Sequence, residues 1–386
     1  MSFPADSFSP RLASLVPNRR DFLRLAGACA AAPFAVPSLP LHALTPPTAG
    51  KVVVITFGGG ARDEETFAPG GHENIPGMLK TLLPQSTFFG QVINRGILGH
   101  YVATTSLATG VYETFNNFSG VPSPNPTVFE YFRKGLKRPP QDAWLISPSN
   151  GFRNMGCGTN QAFGSRYGAS VILPKQLVQA ADPHSATGNL DRLLRDTYEE
   201  PHLAAGPLQA EAQLQQMEES LGLSGSEFQR LALTMQSADE LSASVAIRLM
   251  QRSAPSLLWI TLHDIDMAHS GAYSLYIDGI QRTDGLCVEI WKHIQSNPEY
   301  AGKTTLFILP DFGRDSDTNP AGNGFQHHRT GDAASRTTWM MVLGPQVRQG
   351  VFIERPVDSR DLVPTVGHLL GFPTPFAEGT VLSEVV

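Results

Sequence analysis

The sequence predicts an α/β protein, a three-layer α/β/α sandwich built on a mostly parallel sheet. Three observations carry that expectation. Short apolar runs rich in Val, Ile and Leu recur along the chain, as strands buried on both faces require. Between them lie segments with apolar residues at three-to-four spacing, the mark of amphipathic helices. Polar clusters stand immediately after several of the strands, at the edge where open α/β sheets gather their chemistry.

Taken in order, the first strand is KVVVITF, Lys51–Phe57, which runs into Gly58, Gly59 and Gly60. A short helix in NIPGMLKTLLPQ, a strand in TFFGQVIN, and strands in AWLISPSN and ASVILP follow. From Gly206 to Ser253 the pattern turns helical, first over LQAEAQLQQMEESLGL and then over SEFQRLALTMQSADELSASVAIRLMQRS. Ser226 and Glu227 suit the start of the second helix. The strand SLLWITL, the helix SLYIDGIQRTDGLCVEIWKHIQ and the strands TTLFILP and TTWMMVLG come next. SRDLVPTVGHLLG closes as a helix that Gly371 ends. Strands alternating with helices over most of the chain give a parallel sheet covered on both faces.

The chain has 386 residues, 41% hydrophobic and 17% charged, with a net charge of −6. No basic run accompanies this mildly acidic balance, which argues against a nucleic-acid partner. Residues 1–45 read as an address. Arg19 and Arg20, then Phe22 and Leu23, precede a weak apolar run, as in a twin-arginine signal. That run is too short and too interrupted by proline for a transmembrane helix. The expectation is a periplasmic protein exported folded by the twin-arginine machinery. Residues 46–386 would form one domain, with insertions around 151–253 that shape the pocket. Cys157 and Cys287 are the cysteines of that part; one disulfide or two buried thiols both suit them.

The chemistry-bearing residues cluster after strands. ITLHDIDMAHSG places His263, Asp264, Asp266 and His269 after one, and LPDFGRDSD places Asp311, Arg314, Asp315 and Asp317 after another. GNGFQHHRTGD adds His327 and His328. A carboxylate with two or three imidazoles from separate loops is ordinary ligation for zinc or manganese. Arg62 and Arg314 suit a clamp on an anionic ester, and the three glycines suit either an anion cradle or a sharp turn. His72 and His100 are candidates for added ligands or for acid–base work. The Asp311-Phe312-Gly313 triplet is not the magnesium motif of a protein kinase, because no Val-Ala-x-Lys strand or His-Arg-Asp loop precedes it.

The ordered series strand, Asp-x-x-His, helix, strand, Asp-x-Gly, His-His, strand and Gly-Pro resembles the alkaline phosphatase superfamily, which includes sulfatases, nucleotide pyrophosphatases and phosphoglycerate mutases. The segments that carry it are VVVITFGGGAR, ATTSLATGVY, LHDIDMAHSG, PDFGRD, WMMVLGPQV and DLVPTVGHLLG. The resemblance implies two metal ions flanking an anionic ester and a Ser, Thr or Cys-derived nucleophile. Residue by residue, one metal's ligands would be Asp266 and His269, with Asp264 as a rival, and His327 or His328. The second metal's Asp falls on Gly58–Gly59, with Asp63 and Glu64 only nearby. Its Asp-His-Gly has become Asp311-Phe312-Gly313, so Asp311 occupies a ligand slot without its partners. The nucleophile slot, counted ten residues back from Gly110, falls on His100, with Thr104, Thr105 and Ser106 further along.

Two functional expectations follow. One is an exported hydrolase or transferase for a phosphate, phosphonate or sulfate ester, dependent on a divalent metal at a single site. The other is a catalytically inactive relative, with or without an ion, that binds an anionic or glycan ligand or an envelope partner. A reaction centred on His100 is a further variant.

Overall fold

Val53, Ile55 and Phe57 of the first strand pack into one hydrophobic layer, and Val52 and Val54 into the other. Alternate side chains leave a strand on opposite faces, so a run of buried β-branched residues needs cover on both. The structure, a computed structural model, describes residues 50–181, 193, 207–328 and 331–386. The twin-arginine segment, 1–45, lies outside the described residues.

The strands are β1 (Lys51–Phe57), β2 (Ser86–Ile93), β3 (Ala143–Ile146), β4 (Ser170–Ile172), β5 (Leu257–Leu262), β6 (Thr304–Pro310), β7 (Thr337–Leu343), β8 (Val351–Ile353) and β9 (Val357–Asp358). The helices are α1 (His100–Thr109), α2 (Val128–Gly135), α3 (Pro174–Ala181), α4 (Pro207–Leu221), α5 (Gly225–Thr234), α6 (Ala238–Arg252), α7 (Tyr273–Ser296), α8 (Ala333–Arg336) and α9 (Leu362–Leu370). They surround one sheet of order β4-β3-β5-β1-β6-β7-β2-β8, with β9 beside β2. Among the described strands only β7 runs against its neighbours, β2 and β6. Tyr276, Ile280 and Ile290 of α7 and Leu241, Val245 and Leu249 of α6 cover one face. Leu107 of α1, Phe129 and Phe132 of α2, and Val363 and Val366 of α9 cover the other.

Several element readings shift. The long helix expected after Ser226 is two helices broken at Met235–Ser237. Ser224 is the cap of the first, with Glu227 as its reciprocal capping-box partner, and Ser237 caps the second by accepting the Glu240 amide. Helix α1 gave no periodic signal because all ten of its residues are buried, and a helix without a polar face has no amphipathic period. Gly371 ends α9 at φ +80°, as expected. Cys157 and Cys287 are both free thiols. No helix among the described residues is long and apolar enough to cross a membrane.

The register sets up the site. Phe57 pairs with Leu262 on one side and with Pro310 on the other. Strands β1, β5 and β6 therefore end level, and the segments after them leave the sheet side by side. A Cβ added at Gly60 would lie 1.9 Å from the Phe312 carbonyl oxygen, so the exits of β1 and β6 pack backbone to backbone. Gly60→Ala is expected to lower the unfolding free energy by about 3 kcal/mol. Gly70→Ala, where a Cβ would meet nothing within 4 Å, should change it by less than about 0.5 kcal/mol. Urea denaturation of both variants checks this; equal losses would contradict the tight packing.

Candidate metal centre

All donors of the centre but His328 are delivered by the turn after a strand or by the start of a helix. After β5 the chain forms a 3-10 turn, Asp264–Ser270. With three residues per turn, positions i and i+3 eclipse, so Asp266 and His269 share one side while Asp264 points away. His100 opens α1 after Gly99, which has extended backbone. Phe312 and Arg314 follow β6, and His328 comes from the loop beyond.

His100 Nε2 lies 3.2 Å and His269 Nε2 3.4 Å from Asp266 Oδ1. The Nε2 atoms of His269 and His328 are 3.0 Å apart. One donor atom from each of His100, Asp266, His269 and His328 lies within 4.8 Å of the others. Asp266 is buried, and its Oδ2 has no hydrogen-bond partner. Three imidazoles and a carboxylate, one oxygen of it orphaned, fit a divalent zinc, manganese or iron ion. The tautomers suit the task as well. His328 Nδ1 lies 2.9 Å from the Leu98 carbonyl and donates to it, turning a lone pair on Nε2 inward. His100 Nδ1 has Asp311 Oδ2 at 2.7 Å and the Gly59 amide at 3.0 Å. The shorter, charge-assisted contact holds the proton on Nδ1.

The electrostatics divide the imidazoles. Burial alone would lower His100, but Asp266 and Asp311 outweigh it and raise its pKa to about 10. Burial lowers His269 to about 4, against the pull of Asp266. Burial, with His100 and Arg314 adding to it, lowers His328 to about 2. Asp266 falls below the ordinary carboxylate range because His100 and Arg314 offset its burial. Burial pushes Asp311 up. Near neutral pH, in the absence of an ion, His100 is thus an imidazolium bridging two carboxylates, and the other two rings are neutral.

The remaining sequence candidates are not among the four donors. Asp264 is not in the group of four: its Oδ2 pairs with Arg282 at 2.8 Å, because the 3-10 turn directs it outward. Asp311 holds the far nitrogen of His100 instead of joining the donors, and its Oδ1 accepts the Phe312 amide at 2.9 Å. His327 is outside the group as well; its Nε2 lies 3.2 Å from Asn323 Nδ2. Arg62 is no free clamp: Nε donates to Glu65 at 2.9 Å and NH1 to Asp317 at 2.5 Å. Arg314 is buried against Asp266. His72 contacts the Phe67 carbonyl at 3.1 Å, and His263 packs edge-on against Phe152. Thr105 and Ser106 donate to carbonyls one turn back in α1. The glycines serve close approach, since a Cβ at Gly58 would meet His100 Nδ1 at 3.3 Å.

Two further contributors take up a role only in the fold. Phe312 stacks on His100 at 4.8 Å between centroids and lies 4.6 Å from the His328 ring. Asp239 of α6 accepts the amides of His263 and Asp264 at 2.7 Å each, pinning the turn that carries Asp266. In the sequence Phe312 stands only as the residue in the imidazole slot, and Asp239 looks like any helix-start aspartate until the fold brings it here.

Three outcomes are expected. Asp311→Asn should weaken zinc binding about 10–100-fold, as loss of a histidine's outer partner does, whereas Asp264→Asn should leave it unchanged; calorimetric titration distinguishes them. Metal binding at pH 7 should release about one proton per ion, that of His100 Nε2, measurable as a dependence of binding heat on buffer. The folded-state pKa of His100, about 10, exceeds its ordinary 6.5. The metal-free protein should therefore hold this stabilisation in full below that ordinary value and lose it as pH rises towards about 10, read from urea midpoints.

No family model matches the chain, and no curated protein matches it in sequence. Solved structures do match. Phosphonate monoester hydrolase SpPMH from Silicibacter pomeroyi is 12% identical with a TM-score of 0.56, the match covering 86% of this chain and 76% of that one. The lipoteichoic acid synthase LtaP from Listeria monocytogenes is 12% identical with a TM-score of 0.52 over 86% and 74%. The PsFucS1 sulfatase from Pseudoalteromonas sp. is 10% identical with a TM-score of 0.51 over 88% and 73%. At such identities the likeness speaks for the fold: this chain has the alkaline phosphatase-like α/β/α sandwich of sulfatases and phosphonate monoester hydrolases.

Proposed function

We propose that the protein is an exported hydrolase or transferase for a phosphate, phosphonate or sulfate ester, dependent on one divalent ion. The observation that carries this reading is the convergence of His100, Asp266, His269 and His328 on one volume, with Asp266 Oδ2 left without a partner. When bound there, a divalent ion would supply Lewis acidity towards an ester oxygen. The chain's own residues do the rest. Asp311 and the Leu98 carbonyl fix the rings of His100 and His328. Phe312 packs against both rings, 4.8 Å from the centroid of His100 and 4.6 Å from that of His328. His269, with 25% of its side chain exposed, marks the side from which a small anion can approach. His100 acts as a ligand in this reading, because both its nitrogens are already directed at Asp311 and the centre. Export by the twin-arginine route, to a periplasmic location, is part of the same proposal and rests on Arg19, Arg20, Phe22 and Leu23.

One observation favours the inactive alternative. Four protein donors would fill a four-coordinate shell, as in structural sites, whereas catalytic sites keep a position open. The α1 hydroxyls of Thr105 and Ser106 are also committed to backbone carbonyls.

Elemental analysis of untagged protein is expected to find about one zinc, manganese or iron per chain. The loaded protein should hydrolyse para-nitrophenyl esters of phosphate, phenylphosphonate or sulfate, and Asp266→Ala should abolish both metal and turnover. An ion at a hundredfold excess over its Kd should stabilise the fold by about 2.7 kcal/mol, so a chelator should lower the melting temperature. Metal without turnover on any ester would favour the inactive reading; no metal before or after reconstitution would remove the first.

A further inference from the structure

The alkaline phosphatase-like resemblance implies two ions, and the residues here do not fit the second. Its Asp slot falls on Gly58–Gly59 and its imidazole on Phe312. What stands beside Asp266 instead is Arg314. Its side chain is fully buried, NH2 lies 2.6 Å from Asp266 Oδ1 and NH1 donates to the Phe325 carbonyl at 3.2 Å. Its carbon Cζ sits 5.8 Å from the centroid of the Tyr276 ring. A guanidinium held this way cannot swing out to grip a ligand, which removes the clamp expected from sequence.

Gly59 shows how completely the position is taken. Its φ is +76°, and an added Cβ would lie 2.2 Å from Arg314 NH2 and 2.6 Å from Asp266 Oδ1. No carboxylate can stand opposite Asp266 while the guanidinium is there. The charge count agrees. Asp266 and Asp311 bring two negative charges, Arg314 one positive, and ligating imidazoles none. One divalent ion leaves the centre at plus one, which attracts an anion in a poorly hydrated site. A second divalent ion would have to share Asp266 with a fixed cation.

We propose that Arg314 is the built-in second cation of this centre, taking the room and supplying the charge that a second metal ion would otherwise hold. It acts through Asp266 and through the field, as a positioning and specificity residue, and limits the centre to one divalent ion. This rests on the single-metal reading above.

The test measures ion stoichiometry by elemental analysis and calorimetry, and affinity for inorganic phosphate in the zinc-loaded protein. The wild type is expected to saturate at one ion. Gly59→Asp combined with Arg314→Ala, which replaces the guanidinium by a carboxylate facing Asp266, is expected to saturate at two. Arg314→Gln keeps a donor but not the charge; it should still bind one ion, with phosphate about tenfold weaker, and Arg314→Lys should restore most of that loss. Two ions in the wild type, one ion in the folded paired variant, or unchanged phosphate affinity in Arg314→Gln would each overturn the inference. Should the paired variant not fold, the phosphate comparison decides. A wild type that binds no ion would overturn the single-metal reading itself, a result distinct from the others.

Discussion

A buried carboxylate must find its compensation within a few ångströms, and Asp266 is that constraint here. Its Oδ1 gathers Arg314, His100 and His269 at 2.6, 3.2 and 3.4 Å. Each of those groups comes from a different segment, so satisfying one carboxylate ties the ends of β5 and β6 to the start of α1. Arg314 also reaches the loop before the two histidines, through the Phe325 carbonyl. The cluster is a structural knot as much as a chemical site.

The sheet makes that knot affordable. Level ends of β1, β5 and β6 bring three loops to one edge, and glycines at 58, 59 and 60 let backbone pass where side chains would collide. Asp239 adds a fixed point from the helical layer, holding two amides at the start of the turn that carries Asp266 and His269. Rigid elements thus carry every donor except His328, whose orientation depends on the Leu98 carbonyl and the Phe312 ring.

Much of the architecture is legible in the sequence because it follows from burial. Runs such as VVVIT and LFIL, short and rich in β-branched or aromatic residues, read as interior strands, and α7 has a clean apolar stripe. Helix α1 is hidden because it is buried all round. In the centre, Asp266, His269, His328 and His100 are recognisable as polar residues at strand and helix ends. Their roles are less so. Whether Asp264 or Asp266 faces inward depends on the turn being 3-10, which no pattern announces. Asp311 occupies a ligand slot in the sequence but serves His100 in space, and Arg62 and Arg314 are drawn to carboxylates distant in the chain. Local chemistry is written in residue types, while direction is written in the backbone.

The bridge made by His100 has one more consequence. Protonated, it joins Asp266 to Asp311 and balances the centre with a proton in the place where an ion would go. Proteins whose metal ligands repel one another when empty must acquire the ion in order to fold. Here the His100 ring already ties α1 to the segments after β5 and β6 through those two carboxylates, so protein groups alone join the three segments.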